Sequence, residues 1–424
     1  MKLDREQAQA LDATDPLRSW RERFVLPQDA AGRELVYLCG HSLGAQPTLA
    51  VDYVEEVMRE WRARGVEGFF TGRRPWLGYH ERALPTLAAL AGAHPHEVTV
   101  MNSLTVNLHL LLASFYRPAA GRTALLIEQQ AFPSDRYAAE SQVRWHGLDP
   151  ARELIEVAPR AGEHLLRTED LVATIEREGA RVATVLLPAV QYLTGQRLEV
   201  GAITAAAQRA GCVVGWDLAH AIGNVPLELH DAGVDFAVWC HYKFLNGGPG
   251  APGGAFVHER HASRDDLPRL AGWWGNEPAT RFEMRQEFRA AAGADGWQVS
   301  TPSILALAPV VASLEHFAAV GLPALRAKSV ALTGYLEALI DARLAGRVTV
   351  LTPRGADARG AALSLRLERG RDAARAAFEA LCARGIVPDW REPGVIRAAA
   401  VPFYNSFDDA WRFVDALATA LDQA

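Results

Sequence analysis

The sequence predicts an α/β protein: a large, mostly parallel sheet wrapped by helices, with a smaller α+β domain at the C-terminus. Three observations carry this. Strand and helix signals alternate from about residue 80 to about residue 260. The strands there are short, β-branched and apolar on both faces, as in a parallel sheet covered on two sides. After about residue 305 the pattern changes to two long helices followed by mixed strands and helices. At 424 residues the chain is too long for one simple core, so two domains are expected. We place the large domain at 51–305 and the small one at 306–424, with an N-terminal segment, 1–50, packed beside the small domain.

In chain order, residues 4–24 read as a polar helix around Leu17, Trp20 and Phe24. Leu35-Val-Tyr-Leu-Cys39 reads as a strand ending in the two-glycine turn Gly40-His-Ser-Leu-Gly44, and helical periodicity runs from 47 to 63. The stretch 65–79, rich in glycine and aromatics with neither period, is a long loop of the kind that contacts a ligand or partner chain. Helices follow at 81–92, 105–115, 135–141, 168–178 and 201–210, with strands at 98–101, 123–127, 182–187, 212–216, 236–239 and 254–257. Such sheets bind ligands at the carboxyl ends of their strands, and the polar motifs of this chain fall just after them. The C-terminal part carries helices at 304–320, 322–344, 372–384 and 408–421, and strands at 347–351, 360–366, 386–387 and 395–398.

Composition excludes several functions. The net charge is -6 and no long basic block occurs, which argues against nucleic acid as a partner. The N-terminus is polar and acidic, unlike a signal peptide. No apolar run reaches the ~18 residues of a membrane span. Cys39, Cys212, Cys240 and Cys382 form no CxxC pair, so free thiols in a reducing cytoplasm are expected. There is no GxxxxGK[ST] and no HExxH, and the glycine-rich run 247–254 does not follow a first strand. Apart from His94 and His96 the thirteen histidines show no ligand spacing, so no metal site is expected.

The chemistry starts from the lysines. There are three, Lys2, Lys243 and Lys328, and arginine supplies the rest of the basic residues. Lys2 is terminal and Lys328 lies in a charged helical stretch; Lys243 alone sits in an apolar, glycine-flanked segment. Arginine replaces lysine in most salt bridges, but its guanidinium stays protonated and cannot attack a carbonyl. Lys243 therefore reads as a Schiff-base amine, against the plainer reading of a surface lysine. Twenty-six residues earlier, the strand at 212–216 delivers Asp217. An acid there suits the protonated pyridine nitrogen of pyridoxal phosphate; it also suits an N-cap for a helix starting near Leu218. His220 follows and reads equally as a core histidine.

Other residues extend this constellation. Ser103-Leu-Thr105 opens a helix, either as a phosphate cradle or as an ordinary cap. In Phe132-Pro-Ser-Asp135 the ring can stack on a planar cofactor with Asp135 within reach of its substituents. Trp273-Trp274 reads as a ligand wall, an interface or a hydrophobic plug. Arg397, in an apolar strand, requires an anion, either a substrate carboxylate or a structural salt bridge.

Together, Gly40-x-Ser-Leu-Gly44, Phe132-Pro-Ser-Asp135, Tyr192-x-Thr-Gly195, Asp217-Leu-Ala-His220, Tyr242-Lys243-x-Leu-Asn246, Gly272-Trp-Trp-Gly275 and Arg397…Val401-Pro-x-Tyr-Asn-Ser-Phe407 resemble kynureninase, a fold-type I pyridoxal-phosphate family. The resemblance implies hydrolysis of L-kynurenine, and of 3-hydroxykynurenine, to the corresponding anthranilate and L-alanine in tryptophan catabolism. It implies a homodimer whose active sites use both subunits. By the same resemblance Lys243 carries the cofactor, Asp217 pairs with its ring nitrogen, His220 lies beside it and Tyr242 relays a proton. Phe132 stacks on the ring; Leu104, Thr105, Tyr242 and Trp273 hold the phosphate; and Pro133, Ser134, Asp135 and Thr301 adjoin the cofactor. Arg397, with His41 and Asn276, is expected at the substrate. His41, Pro188, His241 and Asn276 depart from the family's usual residues. The rivals are an aminotransferase or cysteine desulfurase on the same fold, or a relative that has lost catalysis.

Overall fold

The computed structural model describes residues 3–423, so Lys2 lies outside the described residues. A seven-stranded sheet organises the larger part. Its strands are β1 (Val98–Met101), β2 (Ala124–Glu128), β3 (Leu154–Val157), β4 (Val182–Pro188), β5 (Val213–Asp217), β6 (Phe236–Cys240) and β7 (Gly253–Val257). Their spatial order is β1-β7-β6-β5-β4-β2-β3. Only β7 runs antiparallel to its neighbours, β1 and β6. β2 to β6 pair in parallel, and apart from the edge strand β3 their residues are almost all buried. That is the two-faced burial their composition predicts. Trp216 and Trp239 are fully buried on this sheet. Edge strand β3 is missed from the sequence because its faces are half exposed and lack the apolar run.

The parallel strands end together, delivering Glu128, Pro188, Asp217 and Cys240 to one side of the sheet. No helix begins after β5: residues 219–224 form turns. Asp217 accordingly caps a turn, its Oδ1 accepting the Ala219 N–H at 2.7 Å, and the helix-cap reading falls.

Beyond residue 347 a second, four-stranded antiparallel sheet forms from β8 (Val348–Val350), β9 (Ala362–Leu367), β10 (Asp389–Arg391) and β11 (Val395–Ala399), in the order β8-β9-β11-β10. Strand β10 was not expected, since Asp-Trp-Arg carries no strand pattern of its own and is held by pairing with β11. Helices Leu322–Arg343 and Phe407–Gln423 pack with this sheet in a second apolar cluster. No single helix among the described residues is long and apolar enough to cross a membrane.

The N-terminal segment touches both cores. The helix expected over 4–24 breaks at Asp15-Pro16 into Arg5–Thr14 and a short 3₁₀ helix, Arg18–Arg23, because proline removes a donor and clashes with the preceding turn. Ala8, Val36 and Leu38 belong to the C-terminal cluster. Leu17, Phe24, Leu26 and Ala45 belong to the core of the large sheet. The strand expected over 35–39 shrinks to Val36–Tyr37, paired in parallel with Ile386–Val387.

Candidate active site

A polar cleft opens where the parallel strands end. It is lined by Leu104 and Thr105, by Glu128 at the end of β2, by Phe132, Ser134 and Asp135, by Pro188, Val190 and Tyr192 after β4, by Asp217 and His220 after β5, and by Tyr242 and Lys243 after β6. Residues separated by more than a hundred positions converge there because parallel strands end in register. A larger cavity of about 650 Å³ lies along Leu26, Tyr37, Leu43 and Val51. Its walls are mostly apolar, with neither lysine nor histidine, so the chemistry belongs to the smaller cleft.

The lysine is fixed by its neighbours' main chains. The Gly44 N–H donates to the Tyr242 carbonyl at 2.8 Å. A Cβ on Gly44 would collide with the Lys243 carbonyl oxygen and with Asn246. A Cβ on Gly40 would strike Tyr404 and Val401. The two glycines of the first turn thus let it lie directly between the lysine segment and the Val401–Tyr404 segment. The Lys243 Nζ lies 5.7 Å from the centre of the Phe132 ring and 5.9 Å from that of Tyr242.

Electrostatics set the cleft apart. Three carboxyl groups surround one amine. Burial, then the neighbouring Asp217, holds Asp135 well above the ordinary carboxyl value. Glu128 is pushed up to about 7 by burial, with Asp217 adding and the Gln191 amide opposing. His220 falls well below its ordinary value, first from burial and then from Lys243 and Arg397, so its imidazole is neutral. Burial raises the Tyr242 hydroxyl, which therefore stays protonated. At the far end, Thr105 Oγ1 and Ser134 Oγ lie 2.6 Å apart at the first turns of helices Leu104–Phe115 and Pro133–Trp145. Two helix N-termini and two hydroxyls make an anion site.

The residues fit pyridoxal phosphate. Asp135 Oδ1 is buried and has no hydrogen-bond partner among the described residues. An unpaired buried carboxyl oxygen facing a second acid calls for a cationic N–H, which a protonated pyridine nitrogen supplies. The paired hydroxyls suit the phosphate, the half-exposed Phe132 ring offers a stacking face, and Lys243 offers the amine.

Arg397, fully buried in β11, stands in an adjoining pocket with His41 and Ser364; that pocket shares Val190, Tyr192 and His220 with the lysine cleft. The structural salt bridge left open by the sequence is present. Arg397 Nε donates to Asp389 Oδ2 at 2.8 Å, Nη2 also reaches Asp389, and Nη1 donates to the Tyr192 carbonyl. Asp389 is held well below the ordinary carboxylate range: burial alone would raise it, and His41 and Arg397 outweigh burial. His41 drops to about 4, mainly from burial and then from Arg397. Its Nε2 lies 3.3 Å from Asp389 Oδ2 without hydrogen-bond alignment.

Four expected site residues do not line either pocket within this chain; one, Pro133, opens helix Pro133–Trp145 between Phe132 and Ser134, which do. Trp273 is half exposed, with its indole N–H donating to the Arg281 carbonyl at 3.1 Å. Asn276 is tied back, its Oδ1 accepting the Arg289 N–H at 2.9 Å. Thr301 lies partly buried just before helix Ile304–Val320. Trp274, by contrast, is a buried plug beneath Arg281. Sequence reasoning gave no role to Glu128, Gln191 or Asp389. Glu128 had a readable signal, an acid ending a strand as Asp217 does; Asp389 had none. The thiols are unactivated: burial pushes Cys39 and Cys240 up to about 11, and raises Cys212 and Cys382.

Known proteins share both the fold and the sequence. A cysteine desulfurase from Thermococcus onnurineus NA1 superposes with a TM-score of 0.75 over 92% of this chain and 95% of its own, at 17% identity. One from Escherichia coli gives 0.75 over 96% and 98%, at 18% identity. At such identities the likeness concerns the fold alone. The family model for the kynureninase C-terminal domain matches residues 325–417. A protein named kynureninase from Xanthomonas campestris pv. campestris (strain 8004) is 55% identical over 98% of both chains. Another so named, from Myxococcus xanthus (strain DK1622), is 53% identical over 97% of this chain and 96% of its own. With more than half its residues shared along nearly its whole length, and the Lys243 cleft in place, the chain belongs to the kynureninase family.

Proposed function

We propose that the chain hydrolyses L-kynurenine, and 3-hydroxykynurenine likewise, to the anthranilate and L-alanine, with pyridoxal phosphate carried on Lys243. The observation that carries this reading is one amine in a buried cleft with three carboxyls, one of whose oxygens is unpartnered. When bound, the cofactor supplies an electron sink conjugated to the substrate's α-carbon. Lys243 would hold the cofactor and, as a free amine, would take the α-proton of the substrate. Asp217 would keep the ring nitrogen protonated. Thr105, Ser134 and the main-chain N–H groups after Leu104 and Pro133 would hold the phosphate, and Phe132 would offer a stacking face to the ring.

Arg397 binds the substrate carboxylate, with Asp389 orienting the guanidinium from behind; His41 closes that pocket. Tyr242, kept protonated by burial, would donate to the γ-carbonyl oxygen as water adds. When the bond between the β- and γ-carbons breaks, the γ-carbon leaves as the anthranilate carboxylate, and the electron pair stays on the β-carbon, which takes a proton to become the methyl group of alanine. The desulfurase alternative lacks support because no thiol is poised as a thiolate.

The division of labour is also proposed. The large domain, 51–305, holds the cofactor, and the small domain, 306–424, brings Arg397; the segment 1–50 joins them. The active unit is a cytoplasmic homodimer. What supports the dimer is that Trp273, Asn276 and Thr301 do not reach their own chain's cleft, while Trp273, Phe70, Phe282, Met284 and Phe288 present exposed apolar side chains. Each cleft receives these three residues from the partner.

Anthranilate fluorescence after adding L-kynurenine, together with borohydride reduction and peptide mapping, tests the reading. A pyridoxyl adduct on the Lys243 peptide is expected; an unmodified peptide in an active preparation overturns it. Mixing inactive Lys243→Ala and Trp273→Ala chains tests the sharing: hybrid dimers regain activity through one intact site. No recovery in dimers shown to have exchanged subunits refutes it.

A further inference from the structure

The end of the large sheet opposite Lys243 gathers side chains that the reaction does not use. β1 starts there at Val98, β6 starts there at Phe236, and β7, running the other way, ends there at Val257. Turns beside these termini bring together His94, His96, Glu97, His230 and His258. The five residues of β6, at about 3.3 Å each, separate this group from the lysine cleft.

Glu97 is its anchor. The carboxylate is fully buried and held from behind by main-chain N–H groups of His94 at 2.9 Å and Glu259 at 2.8 Å. On its open side His230 Nδ1 lies 3.0 Å from one oxygen and 3.1 Å from the other. The His94 ring stands edge-on to His230, with centroids 4.3 Å apart. One ligand atom from each of His94, Glu97 and His230 lies within 4.8 Å of the other two. His94 is exposed and His230 half-buried, so the group opens to solvent.

A single histidine would satisfy the Glu97 carboxylate; the second imidazole, His94, caps the short helix Pro95–Glu97 by accepting the Glu97 main-chain N–H, which leaves its other ring nitrogen to bind a ligand. Two imidazoles and a carboxylate already oriented by main-chain donors form the donor set of a zinc-type ion with an open fourth position. Calcium and magnesium prefer all-oxygen sets. We propose that His94, Glu97 and His230 bind one divalent transition-metal ion of the zinc class. The ion takes the place of the proton between His230 Nδ1 and Glu97. Metal–ligand bonds of about 2.0–2.2 Å set tetrahedral ligands roughly 3.4 Å apart, so His230 moves outward by a few tenths of an ångström. His258 supports rather than ligates: it stacks on His230 at 4.9 Å and accepts the Arg260 N–H at 3.2 Å. His96 pairs with Glu259 at 3.0 Å on the rim. The ion clamps the turn before β1 to the turn before β6 and takes no part in hydrolysis.

Holoenzyme stripped with a chelator is titrated with Zn²⁺ in a calorimeter and with Co²⁺ by visible absorption. One Zn²⁺ per chain at micromolar Kd, tetrahedral Co²⁺ bands and a thermal midpoint raised by ~2 °C or more at saturation are expected. His94→Ala and His230→Ala each weaken binding at least ~10-fold, while kynurenine hydrolysis is unchanged. His96→Ala and Cys382→Ser bind as the parent does. Less than one equivalent bound at about 100 µM Zn²⁺, or affinity undiminished in both histidine variants, overturns the proposal.

Discussion

Lys243 and Lys328 are the two lysines of the described chain, and they occupy opposite settings. Lys328 is buried on helix Leu322–Arg343, its Nζ 2.7 Å from Asp15 Oδ2, with both side chains under a tenth exposed. Lys243 forms no hydrogen bond or ion pair among the described residues and faces a cleft instead. A chain that otherwise uses arginine has kept lysine for two reasons. One is an amine that can lose its proton. The other is a compact ammonium that fits a closed socket where a planar guanidinium does not. Rarity in the sequence did not separate them, and Lys328, read as part of a charged helical stretch, forms an internal pair joining the N-terminal segment to helix Leu322–Arg343.

Exchanging both lysines for arginine gives the largest effects. Lys243→Arg is expected to lower kynurenine turnover at least ~10³-fold and to abolish the visible chromophore, with the thermal midpoint little changed. Lys328→Arg keeps turnover and loses stability. Retained turnover in Lys243→Arg makes the two lysines alike and ends the distinction.

Removing the charge altogether sharpens the contrast in the other direction. Lys328→Ala leaves the buried Asp15 carboxylate without its ammonium partner, held by the Leu17 N–H at 2.9 Å, at a cost of about 3–5 kcal/mol, read from the denaturation midpoint. Lys243→Ala costs little, since no partner is orphaned. A Lys328→Ala protein as stable as the parent breaks the comparison.

The acids of the two adjoining pockets differ as the lysines do. Glu128 has its folded pKa raised from 4.5 to about 7. Through that window the unfolded chain releases the proton while the folded chain keeps it, so stability falls as pH rises, by roughly 3 kcal/mol. Asp389 has its folded pKa lowered from 3.8. Its contribution is complete above that unfolded value and is lost as pH falls below it. Thermal midpoints of cofactor-free protein between pH 3 and 8 are expected to show both limbs. Glu128→Gln flattens the upper limb and Asp389→Asn the lower; an unaltered upper limb in Glu128→Gln rules out its assignment.

Most of the large sheet was legible because burial on both faces leaves an unmistakable apolar run, as in Val182–Pro188. Strand β10 was not, because Asp389-Trp-Arg391 is extended only by virtue of its neighbour. The gathering of Lys243, Asp217, Asp135 and Phe132 at the strand ends was readable from residue type and place. The anion partner of Arg397 was not, since a salt bridge across two strands leaves no spacing. Nor was the meeting of His94 with His230, which pairing through an antiparallel strand brings about across more than a hundred residues. Trp273, Asn276 and Thr301 show the opposite limit: family resemblance put them in the site, and this chain's own fold leaves them outside it.

The smallest effects come from two glycines in similar sequence settings but different surroundings. Gly44 has no free volume: a methyl there meets the carbonyl oxygen of Lys243 and the Asn246 side chain, neither of which can move without shifting the lysine. Gly44→Ala is expected to cost about 1–3 kcal/mol and to reduce turnover, since the displaced group is the reacting residue's own main chain. Gly201 lies exposed in helix Val200–Arg209 with nothing within 4 Å of an added Cβ. Gly201→Ala is expected to raise stability by about 0.5–1 kcal/mol, through lower unfolded-chain entropy and better helix propensity, with turnover unchanged. Opposite signs in one denaturation series tie the first glycine to the position of Lys243; equal signs show that the turn at 40–44 yields, and that the lysine is held by β6 alone.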